Sequence, residues 1–440
     1  MTQTKLAAVV MAGGLGTRMR SAVPKHLHPL LGRRMVDWVL EAARPLAPAR
    51  LVVVASPETR DVFGGVEVAV QERALGTGDA IGSARSALES AADEILVLSG
   101  DTPLLTSALL SELLDSHRGS GAGATVLTFE PDDPRSYGRV LRGGDGQVRA
   151  IVEAGDATPE ELAVRECNSS IYLFRAELLW PALDRLRPAN AQGELYLTDA
   201  VRELVESGAS VGAHTAGDPA DTEGVNTRVE LAAAAALLRD RVNREHMLAG
   251  ASIVDPASTW VEAEVELEAD CVVYPFTVLR GRTRVAAGAE VGPHAVAIDS
   301  TIGAGAIVGP FCYLRPGTVL EAGAKAGTFV EIKNSRIGAR TKVPHLSYIG
   351  DADIGEDTNI AASNVTVNFP HQPGRPKGRT TIGRNVRTGV DNAFVAPVTI
   401  GDDAWIGAGS VITEDVPPNA MAIARSRQVT KEGRGGKRND

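Results

Sequence analysis

The chain has 440 residues, 44% of them apolar and 4% aromatic, and a formal net charge of −10. That length gives two or three domains with full cores, and the acidic balance excludes the basic surface of a nucleic-acid binder. Three scattered cysteines, Cys167, Cys271 and Cys312, lack metal-site spacing and read as free thiols of a cytoplasmic protein, and no run approaches the ~20 apolar residues of a membrane span.

The opening segment, MTQTKLAAVVMAGG, has too short an apolar run for a signal peptide and ends in a glycine loop. Residues 5–226 then read as α/β. AAVVMA (7–12), LVVVAS (51–56), VEVAV (66–70) and EILVLSG (94–100) are short apolar runs of the buried parallel-strand type. Helical stretches such as MVDWVLEAARPL and DAIGSARSALESA lie between them. The alternation predicts a Rossmann-like, mostly parallel sheet with ligands at the carboxyl ends of its strands.

The first strand runs into GGLGTRMRSAVPK (13–25). A glycine turn there lets backbone N–H groups approach a phosphate. It is neither a Walker loop nor GxGxxG, and GGLG alone is as compatible with an ordinary β–α turn. The full string G-x-G-T-R-M-x5-P-K says more, because it brings Arg18 and Lys25 to the mouth of the strand ends, where a triphosphate could lie. Asp101, just past the run 94–100, would by itself be a turn or cap residue.

Residues 228–248, RVELAAAAALLRDRVNREHML, form the clearest helix. The chain therefore divides into a domain over 1–227, a linker helix over 228–250 and a repeat domain over 251–440 with a polar tail expected to be mobile. From Leu267 to Ile412 an aliphatic or small residue returns every six positions, as at Leu267, Val273, Leu279 and Val285. The phase slips to five residues at 297–302, 332–337 and 349–354. A period of six fits a parallel β-helix of hexapeptides with three sides to a coil, about seven or eight coils in all. Residues 367–381 interrupt the hexads, and their cations Arg375, Lys377 and Arg379 suggest contact with an anion. His345, alone, would more often be structural; as a neutral imidazole it is suited to accept a proton near pH 7.

Together these strings resemble the bacterial bifunctional N-acetylglucosamine-1-phosphate uridylyltransferases fused to glucosamine-1-phosphate N-acetyltransferases. The likeness runs from Val9 to about Gly433. It is carried by QERALGTGDA (71–80), LSGDTPLL (98–105), YGR (137–139), IVEAGDA (151–157), ECNSSIY (166–172) and GVNTR (224–228) in the first half. FCYLRPGT (311–318), FVEIKNSRIG (329–338), PHLSYIGDADIG (344–355), NIAAS (359–363), VNF (367–369) and PKGRTTIG (376–383) carry it in the second. The resemblance implies an α/β nucleotidyltransferase followed by a left-handed parallel β-helix.

It implies two reactions, acetyl transfer from acetyl-CoA to glucosamine-1-phosphate and uridylyl transfer from UTP to N-acetylglucosamine-1-phosphate. For the second, the resemblance gives Arg18 and Lys25 the catalytic roles and makes Asp101 and Asn226 ligands of Mg²⁺. Ala12, Gly13, Gly14, Gln71, Gly76, Thr77 and Gly100 would line the nucleotide, and Gly138, Glu153 and Asn168 the sugar. For the first, His345 would be the general base, with Arg315, Lys333 and Lys377 on the sugar phosphate and Tyr348 and Asn359 on its hydroxyls. Ala362, Asn368, Phe369, Val390, Ala408 and Arg425 would line the coenzyme A groove. A homotrimer with sites between subunits follows from the same likeness, with neither nucleic acid nor membrane as partner. The chain departs from the pattern at five places: Ser170 and Ala361 replace expected glycines, Phe369 a tyrosine and Val390 a serine, and PHQPG (370–374) replaces a more typical DG-containing turn. Two other readings share the plan, a monofunctional sugar-1-phosphate nucleotidyltransferase with a structural or regulatory β-helix, and a non-catalytic exchange-factor subunit.

Overall fold

The computed structural model describes residues 4–432 except 15, 135, 371–373 and 375. It divides into two compact units, Met1–Leu238 and Arg239–Asp440, and the division falls within the helix Arg228–Leu248. Arg375, most of PHQPG (370–374) and the end of the tail lie outside the described residues.

In the first unit, alternate residues of strand Leu6–Ala12 serve opposite layers. Ala8 and Val10 pack with Val36, Val39 and Leu110 from the helices Met35–Ala43 and Ser107–Ser120. Ala7 and Val9 pack with Ile81, Leu179 and Val201 on the other face. Coverage on both faces is why these strands read as unbroken apolar runs. Leu6–Ala12 pairs in parallel with Arg50–Ala55 on one side and Glu94–Ser99 on the other. The chain builds outward to Glu67–Val70, then returns across the first strand. That reversal leaves a crevice at the carboxyl ends of Leu6–Ala12 and Glu94–Ser99. The sheet has nine strands, and Cys167–Arg175 runs antiparallel between Glu94–Ser99 and Ala124–Phe129.

In the second unit, Asn243 Nδ2 donates to the carbonyls of Pro256 and Thr259 at 3.0 and 2.9 Å. The solenoid follows as three stacks of parallel strands. Val273 pairs with Val291 and Val291 with Val308, a step of 18 and then 17 residues. Each five-residue slip in the sequence shortens one coil to 17. One stack has nine strands, more than the expected seven or eight coils. The extra strand is Trp260–Val261, which joins that stack ahead of the regular hexads. Inward residues such as Val285, Ile302, Leu320 and Ile337 are buried. Strand pairing stops at Val367 and resumes in register at Thr380, so Ile354 pairs with Ile382 across a step of 28.

Corner residues take the left-handed conformation. One file of corners uses Asp299, Asn334 and Asp351, residue types that accept it cheaply. Another holds Phe276, His294, Phe311, Phe329 and Leu346, each at a cost of about 1–3 kcal/mol. Their rings stack, with centroids 4.7, 4.9 and 5.3 Å apart from Phe276 to Phe329. All three cysteines are free and buried, and no helix among the described residues is long and apolar enough to cross a membrane.

Candidate active sites

The crevice of the first unit gathers residues far apart in sequence. Ala12 ends its strand buried, and the chain passes Gly13 and Gly14 into the short turn Thr17–Met19, which carries Arg18. Gly16 has φ 61, and a Cβ there would collide with that of Lys25, so only glycine lets the two turns pack. Lys25 Nζ reaches Asp101 Oδ2 and lies 2.8 Å from Asn226 Oδ1. Arg18 Nη2 donates to the same Asn226 oxygen at 2.9 Å. Ser99 Oγ donates to the other Asp101 oxygen at 2.7 Å. Burial pushes the Asp101 carboxyl up, but Lys25 and the Ser99 hydroxyl overcome it and hold the group below the usual carboxylate range.

The same cavity continues over Gly138, Glu153, Asn168 and Ser170. Asn168 Nδ2 donates to the buried Tyr172 hydroxyl at 2.7 Å, and its backbone N–H donates to Gly138 O at 2.9 Å. Glu153 accepts from Thr198 Oγ1 at 3.3 Å. Burial raises its carboxyl above the ordinary range, with Asp156 and Asp199 adding to the effect. Gly100 N–H bonds Met11 O at 2.9 Å, which ties the two central strand ends together. On the far side of the mouth, Gln71 follows Glu67–Val70 and is 6% exposed. Thr77 Oγ1 accepts from Leu197 N at 2.9 Å, and Gly76, at φ 117, lies against the Leu195 backbone.

On the solenoid, three cations draw together. Lys333 and Lys377 approach so closely that Lys377, joined by Arg315, lowers the Lys333 ammonium below its ordinary value. Arg315 is partly neutralised by Glu331 at 2.7 Å. Asp351 sits beside this group and accepts from Asn334 and Asn368. Burial pushes its carboxyl up, but those two amides and the lysines hold it down. The Tyr348 ring folds over Gly350 next to Asn368. A second set of residues runs along one edge. His345 ends the strand Lys342–His345, is exposed, and among the described residues its ring makes no hydrogen bond. Above it, Ala362 O accepts from Asp391 N at 3.0 Å, and Val390 O accepts from Gly409 N at 2.8 Å. Ala408 backs onto Gly389, and the Arg425 stem passes Gly409. Asn359 bridges Lys342 and Arg387 through its backbone.

The chain matches the family of MobA-like NTP transferase domains over residues 8–207. It is 48% identical to the bifunctional protein GlmU of Streptomyces coelicolor, over 97% of this chain and 93% of that one. The bifunctional protein GlmU of Mycobacterium tuberculosis is 49% identical, over 96% of this chain and 90% of its own length. That of Corynebacterium aurimucosum is 45% identical, over 98% and 93%. The chain belongs to the GlmU family.

In this GlmU family member three of the departures have visible settings. Ser170 stands in the left-handed region at φ 61, within a register shift between Asn168 and Ile171. Its backbone N–H donates to Asn168 Oδ1 at 3.1 Å, so the strained turn orients that amide. Phe369 and Val390 are exposed at 59% and 45%, leaving their side chains accessible. Arg379 forms a two-pronged pair with Asp353, at 2.5 and 2.6 Å.

Sequence reasoning missed Ser99, Asp351 and Glu230. Glu230 Oε2 accepts from the N–H groups of Asn226 and Thr227 at 2.7 and 2.8 Å, while Thr227 Oγ1 accepts from Glu230 N at 3.2 Å. This is a capping box at the start of Arg228–Leu248, and the spacing Thr-x-x-Glu was its signal.

Proposed function

We propose that the chain makes UDP-N-acetylglucosamine in two steps in the cytoplasm. On the solenoid, the amine of glucosamine-1-phosphate attacks the thioester carbonyl of acetyl-CoA; the C–N bond forms, the C–S bond breaks and coenzyme A leaves as its thiol. His345 takes the proton that the amine gives up and passes it to the departing thiolate, so the proton ends on the thiol. Lys333, Lys377 and Arg315 hold the sugar phosphate, since ammonium and guanidinium groups crowded together favour an anion between them. Tyr348, Asn359 and Asn368 orient the sugar and the amine. Ala362, Phe369, Val390, Ala408 and Arg425 line the donor groove.

In the first unit, a phosphate oxygen of N-acetylglucosamine-1-phosphate attacks the α-phosphorus of UTP, and pyrophosphate leaves. This reaction needs positioning and charge neutralisation more than a protein nucleophile. Arg18 and Lys25 neutralise the phosphates, and Gly138, Glu153 and Asn168 orient the acceptor sugar. Asp101 and Asn226 suit a magnesium ion: a carboxylate and an amide oxygen both face the position of one cationic group, Lys25 Nζ. Magnesium prefers oxygen ligands and keeps several waters, so one carboxylate and one amide oxygen suffice. When bound there, Mg²⁺ would share the neutralisation of the triphosphate. A homotrimer with solenoid sites between subunits completes the reading, and a monomeric sedimentation profile at micromolar concentration would overturn that part.

The observation that carries this reading is the meeting of Arg18, Lys25, Asp101 and Asn226 in one crevice, in a chain alike over nearly its whole length to bifunctional relatives. A paired assay tests it. One arm follows thiol release from acetyl-CoA with glucosamine-1-phosphate, the other pyrophosphate release from UTP and N-acetylglucosamine-1-phosphate with Mg²⁺. Activity in both arms is expected. Activity in the second alone would leave the monofunctional reading, with the solenoid as scaffold.

A further inference from the structure

Gln71 carries an amide whose two ends look alike in shape but differ in hydrogen bonding, one accepting and the other donating. Its Nε2 donates to Asp79 Oδ2 at 2.8 Å and to Gly76 O at 3.1 Å. Both N–H hydrogens are therefore engaged. Oε1 is turned toward Gly13, whose missing side chain makes room for it: a Cβ there would lie 2.9 Å from that oxygen. Among the described residues no donor reaches Oε1. The mouth of the sheet is thus offered an acceptor, and the carboxylate of Asp79 fixes which end of the amide is presented.

We infer that Asp79 is a positioning residue for pyrimidine selection: by holding the Gln71 amide in one orientation, it makes the site accept a base with an N–H at position 3 and reject one with a bare ring nitrogen there. Uracil has that N–H and cytosine does not. Turned as it is, Gln71 Oε1 forms a hydrogen bond with uracil and faces a second lone pair with cytosine. The reverse orientation would suit cytosine, but it would set Oε1 against the Asp79 carboxylate and the Gly76 carbonyl, two acceptors at once. A carboxylate discriminates between the two orientations more sharply than a neutral acceptor, because hydrogen bonds to charged groups are the stronger class. A buried site built around one hydrogen bond rejects the analogue that leaves it unpaired. Asp79 touches neither the base nor the phosphates in this arrangement; it acts through Gln71. The inference rests on the uridylyltransferase reading above.

The test is the ratio of kcat/KM for UTP to that for CTP, from pyrophosphate release with N-acetylglucosamine-1-phosphate, in the full-length protein and in Asp79→Ala and Asp79→Asn. Asp79→Ala removes the acceptor, and Asp79→Asn offers a group that can pair with either end of the Gln71 amide. The wild type is expected to prefer UTP strongly, and the ratio to fall by about tenfold or more in both variants, with thermal unfolding unchanged. A purely structural role for Asp79 would lower turnover of both nucleotides together. An unchanged ratio in a folded variant therefore overturns the inference while leaving the uridylyltransferase reading intact. If Asp79→Ala does not fold, Asp79→Asn decides alone on the same criterion. A wild type that turns over neither nucleotide defeats the functional reading and this inference with it.

Discussion

Lys25 Nζ donates to Asn226 Oδ1 at 2.8 Å across 201 residues of sequence. Nothing local in the sequence announces that contact. It exists because both residues stand at the carboxyl ends of one sheet, where the chain's first crossing and its last loop meet. With the ammonium also on Asp101, one cation is shared by two oxygen ligands. Lys25→Ala is expected to lower pyrophosphate release by about 10²–10³-fold, the usual loss on removing a group that stabilises developing charge. Thiol release from acetyl-CoA should be untouched. Steady-state rates in both arms check this, and a parallel loss in both would point to misfolding instead.

His345→Ala is expected to do the opposite. Loss of a general base costs about 10²–10⁴-fold, and it should fall on acetyl transfer alone. His345 is exposed and its ring makes no hydrogen bond among the described residues, so the thermal unfolding of the variant should match that of the wild type. Retained thiol release would remove His345 from the mechanism.

Ser170→Gly should stabilise the first unit by roughly 0.5–1 kcal/mol. The left-handed backbone at φ 61 costs serine about 1–2 kcal/mol, and glycine gives part of that back as chain entropy. The change also loosens the turn that aims Asn168, so KM for N-acetylglucosamine-1-phosphate is the second quantity to measure. A less stable variant would mean that the serine side chain contributes more than its backbone costs.

His26 supplies a pH dependence. It is buried against Phe63, and its Nε2 has no partner among the described residues. Burial first, then the charge of Lys25, pushes its pKa down from 6.5 to about 4. Between those values the unfolded chain binds a proton that the folded chain refuses, so stability falls as pH falls. The loss is about 2 kcal/mol at pH 5. It fades above 6.5 and is negligible about one pH unit higher. Urea midpoints of the wild type and His26→Val at pH 7 and pH 5 measure it: the wild type should lose more than the variant, and equal losses would exclude the mechanism.

The sequence made the two architectures plain because each has its own period. Strands covered on both faces read as solid apolar runs, and a three-sided coil reads as a hexad whose slips become coils of 17 residues. The nucleotide mouth was legible in part: Arg18, Lys25, Asp101 and Asn226 were named from strings, and the fold brings them within hydrogen-bonding distance. Ser99 and Asp351 were not legible, since their importance comes from what stands beside them in space. The pairing of Arg379 with Asp353 was not legible for the same reason, because the two lie 26 positions apart on neighbouring coils. Glu230 could have been found, from its spacing to Thr227.

The stacked coils have a consequence for how the second unit fails. Val291 pairs directly only with Val273 on one side and Val308 on the other, each a neighbouring coil. A solenoid of this kind has no shared centre; its cohesion is a row of nearest-neighbour couplings. A lesion is therefore not averaged over the whole but acts where it falls, parting the row into two shorter ones. The distal piece, ending at Met421–Ala422, keeps only the couplings within itself and frays from its free end. Limited proteolysis of a weakened variant should then give a nested ladder of fragments, one coil apart, rather than a single resistant core.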